Sequence, residues 1–170
     1  EDGIRDTELW LEFRRVLFRS KNSDVGIYVG QGSSPVLKDN ELYASFFSGV
    51  FAEFEAKPSM VQNKFNGGAT HAGTGKGLGV LLISGSCGLI GKNLFEDYEV
   101  SPIMVFSTCH PLLKDNTYMN IQVDEERQKE LEKQMLDQFQ AEMFKNDEYF
   151  YIVDSEITEK ELDRKSTRLN

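Results

Sequence analysis

The sequence is poor in the residue types that most often announce chemistry. Its 170 residues include two cysteines, two histidines, one tryptophan and four prolines. Cys87 and Cys109 are too few for a disulfide framework and form no CxxC pair. With His71 and His110 they make a nominal two-Cys, two-His set, but the order 71, 87, 109, 110 fits no common zinc spacing. Adjacent side chains such as Cys109 and His110 also diverge on a strand, so no metal site is expected. No apolar run reaches the ~18 residues of a membrane span, and no signal-peptide pattern is visible. The expected location is therefore cytoplasmic, without membrane contact. A basic excess is missing too: the net charge is −9, which excludes a phosphate-backbone binder whose affinity comes from Lys and Arg.

What arginine there is lies at the ends. Residues 1–20 (EDGIRDTELWLEFRRVLFRS) and 163–170 (DRKSTRLN) hold six of the seven arginines and the only tryptophan, Trp10. Both strings resemble translated sequencing-adapter read-through. The resemblance implies that neither is native and that 21–162 is a single native domain, its two ends open to truncation. Read instead as native sequence, Leu9, Leu11, Phe13, Val16, Leu17 and Phe18 with four arginines would make a basic amphipathic helix. The 21–162 core carries 22 acids against 12 bases, net −10. Such a balance is consistent with solubility through self-repulsion.

Within the core, Val25, Ile27 and Val29 alternate with polar or small residues and predict a strand over 24–30. Asp39 or Asn40 is a candidate helix cap. It precedes a stripe of Leu42, Tyr43, Phe46, Phe47, Val50, Phe51 and Phe54, which predicts an amphipathic helix over about 40–56, stopped by Lys57–Pro58. Residues 67–91 carry nine of the fourteen glycines and enclose the apolar run Val80–Ile83. Further strands are expected at 102–108, 117–123 and 148–153. Between the last two, Asp124 is expected to cap a second amphipathic helix, 124–146, with acidic Glu125 and Glu126 in its first turn. No internal repeat is evident. The expected fold is α+β, an antiparallel sheet of about five strands with both helices on one face.

The strongest local signal is the loop Gly73-Thr74-Gly75-Lys76-Gly77-Leu78-Gly79. Glycines without side chains let successive N–H groups converge on an anion, and Lys76 adds a charge. The segment Thr74–Ile83 resembles the acetyl-CoA loop of GCN5-related N-acetyltransferases, Arg/Gln-x-x-Gly-x-Gly/Ala, with Thr74 at its first position. That resemblance implies that Gly75, Lys76, Gly77, Leu78 and Gly79 hold a CoA pyrophosphate, with Tyr118 as a candidate acid for the leaving thiolate. A second segment, Ser84-Gly85-Ser86-Cys87-Gly88, resembles the nucleophile turn of viral chymotrypsin-like cysteine proteases. There Cys87 would be the nucleophile, His110 would read substrate, and His71 is the sole upstream base. Three readings therefore stand. One is a binding domain whose glycine-rich loop, 67–79, holds a small phosphate-bearing ligand. The others are an acetyl-CoA-dependent acyltransferase and a truncated cysteine peptidase.

Overall fold

The apolar runs stack in register from one turn of the chain to the next instead of folding back as hairpins. A computed structural model describes residues 25–43, 47–68, 77–138 and 149–152. The first coil holds β1 (Val25–Val29), β2 (Val36–Lys38) and β3 (Glu41–Tyr43). The second holds β4 (Ser48–Ala52), β5 (Ser59–Val61) and β6 (Lys64–Asn66). The third holds β7 (Leu78–Leu82), β8 (Gly88–Gly91) and β9 (Leu94–Glu96), and the fourth β10 (Ile103–Phe106), β11 (Pro111–Lys114) and β12 (Thr117–Met119). Helix α1 (Glu125–Gln138) and β13 (Tyr149–Ile152) follow. Equivalent strands of successive coils pair in parallel, giving a first sheet β1-β4-β7-β10-β13, a second β11-β8-β5-β2 and a third β12-β9-β6-β3. Among the described strands β13 alone is antiparallel, closing the β10 edge of the first sheet.

The registers expose a repeat. Val36 pairs with Ser59 and Glu41 with Lys64, 23 residues on; Gly88 pairs with Pro111 and Leu94 with Thr117 at the same interval. Between the second and third coils the interval is 30, as for Ser59 with Leu89 and Lys64 with Leu94. The seven extra residues fall between β6 and β7, within 67–77, where the glycines concentrate. The step from the second coil to the third is thus seven residues longer in sequence than the other steps.

Each coil buries one layer. In the third sheet the inward column is Leu42, Phe65, Phe95 and Tyr118. Phe65 stacks on Phe95 with ring centroids 4.8 Å apart, and Phe95 on Tyr118 at 5.3 Å. Offset-stacked rings contribute about 0.5–1.5 kcal/mol per pair beyond burial. Leu37, Met60, Ile90 and Leu113 form the inward column of the second sheet. All residues of β4, β7 and β10 are buried, so the first sheet is covered on both faces. Parallel strands covered on both faces are continuous in hydrophobicity, as the run Leu78–Leu82 shows.

At the corner between second and third sheets a ladder of amides joins the coils. Asn40 donates its N–H and its side-chain amide to Asn63 Oδ1, at 3.0 and 2.9 Å. Asn63 does the same to Asn93, and Asn93 to Asn116, at 2.9–3.1 Å. Each of the last three also donates Nδ2 to a strand carbonyl one coil back, of Leu37, Met60 and Ile90. The residue before each asparagine (Asp39, Gln62, Lys92, Asp115) has φ of 52–57° and makes the bend.

These findings correct the expected α+β fold with an antiparallel sheet. No helix spans 40–56. Asn40 spends its side chain in the ladder, Leu42 faces inward from β3, Val50 and Phe51 are neighbours on β4, and Phe54 sits at an exposed corner; Phe46 lies outside the described residues. Apolar residues spaced by short strands and bends mimicked a helical stripe. The chain also does carry a repeat, hidden because its columns conserve direction and size of side chain more than identity.

Helix α1 begins where Asp124 Oδ1 accepts from the N–H groups of Glu126 (2.9 Å) and Arg127 (3.2 Å). It is tied to the last coil by Gln128 Oε1, which accepts from Ser101 N, and by Tyr151, whose hydroxyl donates to Glu132. Asp124→Ala is expected to cost about 1 kcal/mol through loss of the cap. Its thermal unfolding followed at 222 nm would show this, and an unchanged melting curve would refute the cap.

Candidate functional site

The residues singled out by sequence are placed as follows. His71, Gly73, Thr74, Gly75 and Lys76 lie outside the described residues. Leu78 and Gly79 belong to β7, and their N–H groups are already committed: Leu78 donates to Phe47 O at 2.8 Å and Gly79 to Pro102 O at 2.7 Å. They cannot also cradle a pyrophosphate. A Cβ on Gly79 would come within 2.8 Å of both Pro102 O and the Tyr98 hydroxyl, so this glycine serves close packing of coils. After Gly77 comes a strand and then another corner, where the acetyltransferase pattern requires a helix. Tyr118 is stacked in the interior column on Phe95, and so is not a leaving-group acid.

Cys87 and His110 hold the same place in successive coils, one residue before the paired Gly88 and Pro111. No hydrogen bond joins the Cys87 thiol to His110 among the described residues, and the Cys87 N–H donates to Ala56 O at 2.9 Å. The parallel coil is also no double barrel, so the peptidase reading falls with the fold. Cys109 is buried, and burial pushes its thiol pKa up, away from thiolate chemistry. Among the described residues no group of three or more His, Cys, Asp or Glu is placed to hold a metal ion.

On the outer face of the third sheet, Lys64 Nζ lies 2.6 Å from Glu96 and 4.0 Å from Glu41, and Asn66 donates to Glu96 at 2.8 Å. Asn120 donates to Asp97 at 2.6 Å. The hydrogen bond to Glu96 is the main cause raising the Lys64 pKa, ahead of opposing desolvation. These groups satisfy one another across coils, and the ladder supports the sheet.

The corner between first and second sheets is different. There two successive residues turn through positive φ in each of the first three coils: Gln31-Gly32 (37° and 69°), Phe54-Glu55 (54° and 60°) and Ser84-Gly85 (52° and 73°). A turn with both central residues left-handed strongly favours Gly or Asn. The first and third coils comply with one glycine each. The second coil places a phenylalanine and a glutamate there instead, held by Gly32 N donating to Phe54 O (2.8 Å) and Glu55 N donating to Ser84 O (3.0 Å). Strain of this kind persists only where surroundings over-determine it and is concentrated at functional sites.

The strained pair is also the exposed one. Phe54 is 51% exposed and Tyr28, on the neighbouring coil, 57%. Glu53, the residue before Phe54, accepts the Tyr28 hydroxyl at 2.5 Å, a bond that raises the Tyr28 pKa. Gly85 is set by its φ of 73°, and the Glu55 Cγ packs against it, 3.6 Å from where a Cβ would lie. Two aromatic rings and two carboxylates thus share a corner on a rigid scaffold. Sequence reasoning passed over them because Phe54 was assigned to a core stripe; aligning Phe54-Glu55 with Gln31-Gly32 and Ser84-Gly85 would have revealed the anomaly.

Among the described residues no helix is long and apolar enough to cross a membrane. No curated protein and no solved structure matches the chain. Residues 10–130 match the family described as right handed beta helix region. The match begins at Trp10, inside the segment that resembled adapter read-through, and so corrects that reading along with the acetyltransferase one. With most of the chain matched and its strands stacked in parallel coils, the protein belongs to the right-handed β-helix family.

Proposed function

We propose that this chain is a binding module that holds an uncharged, hydroxyl-rich ligand of the oligosaccharide type at the Tyr28–Phe54 corner. The observation that carries the reading is the pairing of two half-exposed aromatic rings with Glu53 and Glu55 on a strained turn. The C–H face of a sugar ring stacks on an aromatic face, and its hydroxyls donate to carboxylates; both contacts are amphipathic, as are Tyr and its neighbours here. A net charge of −9 disfavours polyanionic ligands. Corners of a stacked coil carry binding residues without disturbing the layers beneath them.

The test is calorimetric titration with neutral cello-, xylo- and malto-oligosaccharides. At least one series is expected to bind, with Phe54→Ala and Tyr28→Ala each weakening affinity about tenfold or more, roughly 1.4 kcal/mol. Failure of all three series, or binding that both substitutions leave intact, would remove the reading. Binding of a lysine-rich peptide in their place would point to cation recognition by the same rings and also overturn it.

A further inference from the structure

Asn66 is the one asparagine of this chain that glycine follows. That dipeptide is chemically labile, because a next residue without a side chain lets its backbone nitrogen reach the asparagine side-chain carbon and close a succinimide ring. The fold demands the glycine. Gly67 is buried, and a Cβ there would come within 2.6 Å of Asp97 O and 2.7 Å of the Tyr98 ring. The asparagine is equally committed: its Nδ2 donates to Glu96 Oε1 at 2.8 Å and to Asp97 Oδ2 at 3.4 Å.

The surroundings act on this dipeptide in two opposed ways. The Gly68 N–H donates to Asn66 Oδ1 at 2.8 Å, which polarises the carbonyl under attack and would hold the oxyanion that attack creates. The nucleophile, however, is tied down, since the Gly67 N–H donates to Glu96 O of the third coil at 2.9 Å. Asn66 is also held extended in β6, paired in parallel with Tyr43 on one side and Glu96 on the other. Ring closure therefore requires β6 and β9 to part at this corner.

We propose that Asn66–Gly67 is a self-modification site, latched by the third coil and released when the second and third coils separate. The Gly67 nitrogen bonds to Asn66 Cγ, the Cγ–Nδ2 bond breaks, and the Gly67 amide proton leaves with Nδ2 as ammonia. Water then opens the succinimide at either carbonyl, giving aspartate or isoaspartate; no other reactant is needed. Either product loses the donor to Glu96 and Asp97 and adds a third carboxylate beside them, while Lys64, 2.6 Å from Glu96, is already engaged. Isoaspartate also inserts a methylene into the backbone just before the closely packed Gly67. Conversion thus hinders restacking, and the modification records that the corner has opened.

Peptide mapping by mass spectrometry tests the latch, with the full chain incubated folded and in concentrated guanidinium chloride in the same mildly alkaline buffer. Asn66 is expected to convert in both, about tenfold or more slowly in the folded chain, because local opening limits the reaction. Asn66→Asp, which reproduces one product, is expected to unfold at a lower urea concentration than wild type. Asn66→Asp/Asp97→Asn is expected to recover most of that loss by removing one carboxylate. Equal rates in the two states, no conversion at Asn66 in either, an Asn66→Asp variant as resistant to urea as wild type, or a double variant no more resistant than the single one would each overturn the proposal.

Discussion

Asn93→Asp is expected to lose about 4 kcal/mol of stability at neutral pH. Asn93 is 1% exposed and stands in the middle of the amide ladder. Its Nδ2 donates to Met60 O at 2.9 Å and to Asn116 Oδ1 at 3.1 Å, while its Oδ1 accepts from the N–H and Nδ2 of Asn63. An aspartate keeps the acceptor and turns the donor into a second oxygen facing two oxygens. An uncompensated buried charge costs about 3–5 kcal/mol, a large share of the ~5–15 kcal/mol a domain has. The loss carries a pH signature. Burial and the facing oxygens raise the folded carboxyl above its unfolded value near 3.9. The protonated acid can donate to Met60 O, so stability is retained below the unfolded pKa and lost as pH rises through the folded one. Urea unfolding between about pH 4 and 8 would measure it. A variant whose deficit relative to wild type does not grow with pH would contradict the ladder as drawn.

Phe54→Gly/Glu55→Gly is expected to move stability and binding in opposite directions. Both positions have φ near +57°, and left-handed backbone costs a non-glycine residue about 1–2 kcal/mol. Replacing both by glycine relieves that strain, offset in part by the entropy of a freer unfolded chain, for a net gain of about 1–2 kcal/mol. The same substitution strips one aromatic ring and one carboxylate from the corner, and oligosaccharide binding is expected to vanish. Melting temperature and calorimetry on one preparation read both effects. A double variant less stable than wild type would mean that the Phe54 and Glu55 side chains are structural, and the corner would lose its claim as a site.

The local features of this protein were legible in its residues. The stretches 24–30, 102–108 and 148–153, expected as strands, contain β1, β10 and β13, because alternation and apolar runs act within a few residues; the apolar run 80–83, assigned no element from sequence, falls largely in β7. Asp124 was legible as a cap for the same reason. The glycine-rich stretch is plain in the sequence, but its meaning is not: Leu78 and Gly79 resemble part of an anion loop, whereas their N–H groups donate to Phe47 and Pro102 of other coils. The signal that sets this fold is a 23-residue register among strands of three to five residues. Strands so short carry little periodicity of their own. What decides them is the neighbouring coil, which supplies the parallel strand partners and, in the third sheet, the rings that stack on Phe95.

So the sequence by itself determined the extended stretches at β1, β10 and β13 and the Asp124 cap, but not the path of 40–56, which it gave the look of a helix. The tertiary structure alone decided that Asn40, Asn63, Asn93 and Asn116 form one column, that Phe65 and Phe95 stack, and that Phe54 faces solvent. The physical reason is that a buried amide is tolerable only when partners from adjacent coils satisfy it, and those partners lie 23 or 30 residues away.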